Sequence, residues 1–132
     1  SILDDIWNVS ERPNFHSSPA IKTCVNQTLE QAEVSFDDIS HFDLYSCFPS
    51  AVQIAKEELG IPEEKKDLTI TGGLPYFGGP GNTYTMLSTT EMVRQLRKNP
   101  KNFGMLTANT SYNTKQHRKA AKKEPLQEGR GE

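Results

Sequence analysis

LTITGGLPYFGGPGNTYTMLSTTEMVRQLRK, Leu68 to Lys98, is the stretch whose reading decides the fold. Leu68 to Thr71 reads as a short strand. Gly72 to Asn82 then packs five glycines and two prolines into eleven residues. Thr83 to Lys98 reads as a helix with Met86, Val93 and Leu96 as its buried line, stopped by Asn99-Pro100. A strand, a glycine loop and a helix in succession belong to the α/β class. Such a loop turns the first N–H groups of the helix toward whatever it encloses, which suits an anionic or oxyanionic group. A tight structural connection accounts equally well for the same residues. Two phosphate-binding readings are excluded: no Lys follows the glycines as in GxxxxGK[ST], and Gly79-Pro80-Gly81 lacks the third glycine of GxGxxG.

Working outward, the same alternation of elements continues. Ser18-Pro19 opens a helix, with Ile21, Val25, Leu29 and Ala32 on one stripe. Asp37-Asp38 marks a turn, and His41 to Cys47 reads as a strand with Phe42 and Leu44 on one face and Asp43 and Tyr45 on the other. Pro49 starts a helix that turns Ala51, Val52, Ala55 and Leu59 inward and stops at Gly60. Phe103 to Asn109 reads as a last strand. Three strands alone leave exposed sheet edges, so the pattern predicts part of a larger assembly.

Composition limits the function classes. The chain has 132 residues, 34% apolar and 24% charged, with a net charge of −2. It has no apolar run long enough for a membrane span. From Lys115 onward there are six Lys/Arg against three Glu, without the interleaved aromatics of a nucleic-acid-binding arm. Composition therefore predicts a polar basic, disordered tail over residues 113–132, after an N-terminal extension over 1–17 and a domain over 18–112. Cys24 and Cys47 have no metal-ligand spacing and read as reduced thiols of an intracellular protein, with one buried disulfide as the alternative. No metal site is expected. His16 and His41 have no carboxylate or serine partner at useful spacing and read as surface residues. Asn82 reads as the cap of the third helix.

Three stretches together carry a family resemblance: SPAIKTCVNQTLEQAEVSFDDISHFDLYSCFPSAVQIAKEELGI, TGGLPYFGGPGNTYTMLSTTEMVRQLR and FGMLTANTSY. In order and spacing, from about Ser10 to Lys115, the chain resembles the C-terminal half of the thiolase superfamily. The likeness is to the branch of sterol-carrier-type thiolases and acetyl-CoA acetyltransferase-like proteins. It implies the C-terminal half of a thiolase-like layered α/β fold, a mixed sheet packed against helices. It also implies an acyltransferase-type, acyl-CoA-handling role in lipid or sterol-type metabolism. The family's nucleophile-bearing N-terminal half is not in this sequence, so the isolated chain is not expected to turn over. Whether it is an enzyme at all stays open.

The resemblance also proposes site residues. The position where thiolases carry the Asn or His of an NEAFA- or HDCF-type motif falls on Tyr45. The glycine–histidine–proline motif falls on Gly78-Gly79-Pro80, so Gly79 stands where the family has an activating histidine. The family's proton-shuttling cysteine falls near Asn109. Tyr45 and Asn109 are thus the catalytic candidates, with Gly72, Gly73, Gly78, Gly79, Pro80 and Gly81 as a substrate-binding wall. Tyr76 and Tyr84 flank that loop and could line an acyl pocket. Glycine offers only a backbone N–H and asparagine cannot shuttle a proton near neutral pH. Tyr45 can donate a hydrogen bond, or act as a base if its pKa is lowered. The implied substrate is a coenzyme A thioester with no covalently bound cofactor. The implied partner is the missing half or a partner subunit, in a homo- or hetero-oligomer. A thiolase-like aldolase subunit, which cuts a carbon–carbon bond of an acyl-CoA, and a non-catalytic or decayed subunit are the alternatives. The expected location is intracellular, the cytoplasm first, with peroxisome and mitochondrion open.

Overall fold

A computed structural model describes residues 2–6, 8–65, 67–109 and 115–121. Strands β1 (Ile2–Asp4), β2 (Ile39–Asp43), β3 (Phe103–Asn109) and β4 (Lys115–Ala121) form one sheet in the order β1-β4-β3-β2. The sheet is mixed: β2 runs parallel to β3, while β4 is antiparallel to both β3 and β1. Helices α1 (Pro19–Ala32), α2 (Pro49–Glu58), α3 (Leu74–Phe77) and α4 (Tyr84–Lys98) complete the described fold, with short 3-10 turns at Val9–Glu11 and Phe36–Asp38.

The core has two clusters, one for each face of β3. Successive strand residues point to opposite faces. Met105 accordingly packs with Ile21, Val25 and Leu29 of α1, Ala55 of α2, and Phe42 and Leu44 beside it. Leu106 packs with Met92 and Leu96 of α4. The result is three layers, with the sheet between α1/α2 and α4. Gly104 allows this close approach. A side chain there would overlap the Met92 sulfur, so α4 rests directly on the β3 backbone.

Residues 115–121, assigned from composition to a polar tail, are a sheet strand flanked by β3 and β1. Unpaired N–H and C=O groups on that edge of β3 provide the reason, because a strand can be recruited by its backbone whatever its side chains. The N-terminal extension likewise contributes β1. The rest of the tail lies outside the described residues. Leu68–Thr71 also departs from its reading as a strand: the segment joins no ladder. Leu68 O accepts a bond from Leu44 N at 2.9 Å, and Ile70 N–H turns to the Asp43 carboxylate at 3.1 Å.

Helix ends use less of their expected capping chemistry. Ser18 occupies the N-cap of α1, but its hydroxyl donates to Asp5 Oδ2 at 2.7 Å and its N–H to Glu58 Oε1 at 2.6 Å. The start of α1 is thereby tied to the N-terminal segment and to α2. The N-cap of α4 is Thr83 rather than Asn82, without a side-chain cap. α1 ends on Glu33 in the left-handed region, φ 54°.

Candidate functional site

The chain leaves β2 at Asp43 and runs through Leu44 to Tyr45. There the Tyr45 N–H donates to Thr107 Oγ1 at 2.6 Å, pinning this turn to β3. Asn109 is the last residue of β3, two beyond Thr107. Both catalytic candidates therefore sit at the C-terminal end of the parallel pair β2–β3, the edge where open α/β sheets gather ligand-binding loops.

The glycine loop closes onto the same edge. Gly73 and Gly78 bracket the single turn of α3, with φ values of 100° and 84° that a side chain would strain. Ser46, the residue after Tyr45, is buried, and its Oγ accepts the Leu74 N–H at 2.9 Å. That bond joins the tyrosine turn to the loop. Gly79 has an ordinary φ and a different role. A Cβ there would lie 3.0 Å from Leu74 Cδ2 and 3.2 Å from Tyr84 Cβ, so Gly79 packs inward against protein. Gly72, Gly78, Pro80 and Gly81 are exposed.

Tyr84, at the first turn of α4, is 1% exposed and meets each of these pieces. Its ring stands edge-on to Tyr45 at 5.6 Å and to Phe77 at 6.3 Å. Its hydroxyl donates to Asp43 Oδ2 at 2.9 Å and lies 2.6 Å from Thr71 Oγ1. The reading of Tyr76 and Tyr84 as walls of an acyl pocket is not what the geometry has: Tyr84 is interior, and Tyr76 is 89% exposed.

Asp43 was missed as a site residue. It is 0% exposed, and its carboxylate accepts hydrogen bonds from Ile70 N–H, Tyr84 and Ser88, with the Thr71 hydroxyl 3.2 Å from Oδ1. Every one of these donors is uncharged, so hydrogen bonding does for this carboxylate what burial alone would make costly. A signal was available: Tyr84 and Ser88 are one helical turn apart on α4, opposite a carboxylate set among apolar strand residues.

Burial, then the Cys47 thiol, pushes the Tyr45 phenol above its usual range. Tyr45 is thus held as a hydrogen-bond donor near neutral pH, and the alternative of a lowered pKa and a base is not met. Burial also raises the Cys47 thiol, against backbone N–H groups of Phe48 and Cys47 itself that lower it. Tyr84 is pushed up to about 12, mainly by burial; the Asp43 carboxylate adds to this, while Thr71 and Ser46 oppose it. Among the described residues no group of three or more His, Cys, Asp or Glu is placed to hold a metal. None of their helices is long and apolar enough to cross a membrane. His16 is exposed and His41 half-buried.

No protein-family model matches the sequence, and no curated protein matches it. Among solved structures, the chain is similar to the crystal structure of a monomeric SCP2-thiolase like protein type 1 from Mycobacterium smegmatis. The TM-score is 0.87 and the identity 36%, over 95% of this chain and 28% of that one. The chain has the SCP2-thiolase-like fold. It spans 28% of the length of that protein. Within the SCP2-thiolase-like fold, Tyr45, the glycine loop and the start of α4 converge on one edge, around Tyr84.

Proposed function

We propose that the chain forms one side of a coenzyme A thioester site in a thiolase-like protein of lipid or sterol-type metabolism. The observation that carries this reading is the meeting of Tyr45, Ser46, Gly73 and Gly79 around Tyr84 at the C-terminal end of β2–β3. The likeness to an SCP2-thiolase-like protein supports it. In this reading Tyr45 donates its hydroxyl hydrogen to the thioester carbonyl, with Asn109 as a polar neighbour and the exposed Gly72, Gly78, Pro80 and Gly81 as the wall. Gly79 brings no acid or base, so the nucleophile and the base come from a second, partner half that completes the site.

A thiolase-like aldolase subunit is the second reading, favoured by a tyrosine at the position where thiolases have Asn or His. The raised phenol pKa suits an acid or donor in either reaction.

Titration of isotope-labelled chain with acetoacetyl-CoA tests the proposal. Residues around Tyr45 and along 72–82 should shift saturably, and Tyr45→Phe should weaken binding by about 3- to 10-fold, the loss of one neutral hydrogen bond. Absence of any saturable shift at millimolar acetoacetyl-CoA refutes it.

A further inference from the structure

Tyr84 has one hydroxyl proton and two polar neighbours, so the direction of its bonds can be worked out. Asp43 is acceptor-only when ionised. Tyr84 therefore donates to Asp43 Oδ2, and its oxygen is left to accept the one proton of Thr71 Oγ1 across 2.6 Å, a shorter contact than the 3.2 Å from Thr71 Oγ1 to Asp43 Oδ1; Thr71 Oγ1 in turn accepts the Gly73 N–H at 3.1 Å. A directed chain results: Gly73 N–H to Thr71, Thr71 to Tyr84, Tyr84 to Asp43. It starts on the glycine loop and ends at the last residue of β2, two before Tyr45. Ser88 binds the same carboxylate oxygen from the next turn of α4 and holds the helix in register. The Tyr84 ring, fixed by this chain, is the surface against which Tyr45 packs.

We propose that Asp43 and Tyr84 are positioning residues: together they set where the Tyr45 hydroxyl stands relative to the glycine loop. Neither is offered as touching the substrate. The proposal rests on the reading of Tyr45 as the thioester donor. Burial of a carboxylate with no cation among the donors that the described residues offer it, when an apolar pair would pack the same volume, is the feature a positioning role explains. Aromatic stacking alone would leave Tyr84 free to slide along the Tyr45 ring; the hydrogen bonds remove that freedom.

The test uses the 132-residue chain with carbon-13 at the tyrosine ring carbon bearing the hydroxyl. Wild type, Tyr84→Phe and Asp43→Asn are compared with Thr28→Ala, which removes a buried hydroxyl bonded to Cys24 O on α1, away from the site. The Tyr45 signal, assigned by its loss in Tyr45→Phe, reports its own titration. In Tyr84→Phe and Asp43→Asn the Tyr45 ring should gain solvent, and its midpoint should fall toward 10.0. Thr28→Ala should lower stability yet leave that midpoint in place. Where Asp43→Asn fails to fold, Tyr84→Phe keeps the ring and carries the test. An unchanged Tyr45 midpoint in the folded variants overturns the proposal. Binding of acetoacetyl-CoA gives a second readout: Tyr84→Phe should raise Kd several-fold in wild type and add nothing in a Tyr45→Phe background, and equal effects in both backgrounds count against positioning. A wild-type chain that binds no thioester sinks the functional reading, while the Tyr45 midpoint still decides the positioning claim.

Discussion

Replacing Gly79 by alanine separates two accounts of the glycine loop. If the missing side chain makes room for a ligand, Gly79→Ala should weaken thioester binding and leave stability alone. The structure directs the new methyl elsewhere: its carbon would sit 3.0 Å from Leu74 Cδ2 and 3.2 Å from Tyr84 Cβ. Carbon–carbon contacts are comfortable at about 3.5–4.0 Å, so both neighbours must give by a few tenths of an ångström. Tyr84 is held by Asp43 and Thr71 and gives little, whereas the half-buried Leu74 can turn. Overpacking costs about 1–3 kcal/mol, and a yielding leucine puts this case at about 1. For a domain of this size that is a drop in Tm of about 3–5 °C. Thermal unfolding followed by circular dichroism measures it. The strain should be relieved in the Leu74→Ala background, giving a coupling of about 0.5–1 kcal/mol in a double-mutant cycle. The reasoning is refuted if Gly79→Ala leaves Tm unchanged, or if its cost is the same with and without Leu74.

Two further expectations follow from local geometry. Glu33 closes α1 at φ 54°, a conformation glycine adopts without strain; Glu33→Gly should stabilise by about 0.5–1 kcal/mol, read as a higher urea midpoint at constant slope, and a lower midpoint would show the side chain doing more than capping. Tyr84 has its phenol pushed up to about 12 from an ordinary value of 10.0. Because the folded state disfavours the phenolate, this contribution to stability is complete below pH 10 and is lost as pH rises toward 12. Denaturation midpoints across that range should fall more steeply in wild type than in Tyr84→Phe, and parallel slopes would argue against it.

Much of the architecture was legible because it is local. Of the stripe Ile21, Val25, Leu29 and Ala32 the first three are buried and Ala32 is exposed; of the inward set Ala51, Val52, Ala55 and Leu59 the two alanines are buried and Val52 and Leu59 half-buried. Period-two alternation put Phe42 and Leu44 on one face and Asp43 on the other, as found, and the Phe103–Asn109 strand has the expected bounds. The family resemblance likewise pointed to the SCP2-thiolase-like fold. Tertiary structure alone decided which face of α4 turns inward. Met86 is 69% exposed and Val93 38%, while Tyr84, Ser88, Met92 and Leu96 are buried. Hydropathy favours the first set, but a buried carboxylate across the layer requires hydroxyls from Tyr84 and Ser88, and Gly104 leaves a place that Met92 fills. Residues 115–121 became a strand for the same kind of reason, since pairing satisfies backbone groups that no side-chain pattern reports. Sequence spacing carries what a residue does to its own helix or strand; what lies across the layer, a carboxylate, a missing Cβ or an open edge, exists only once the chain has folded.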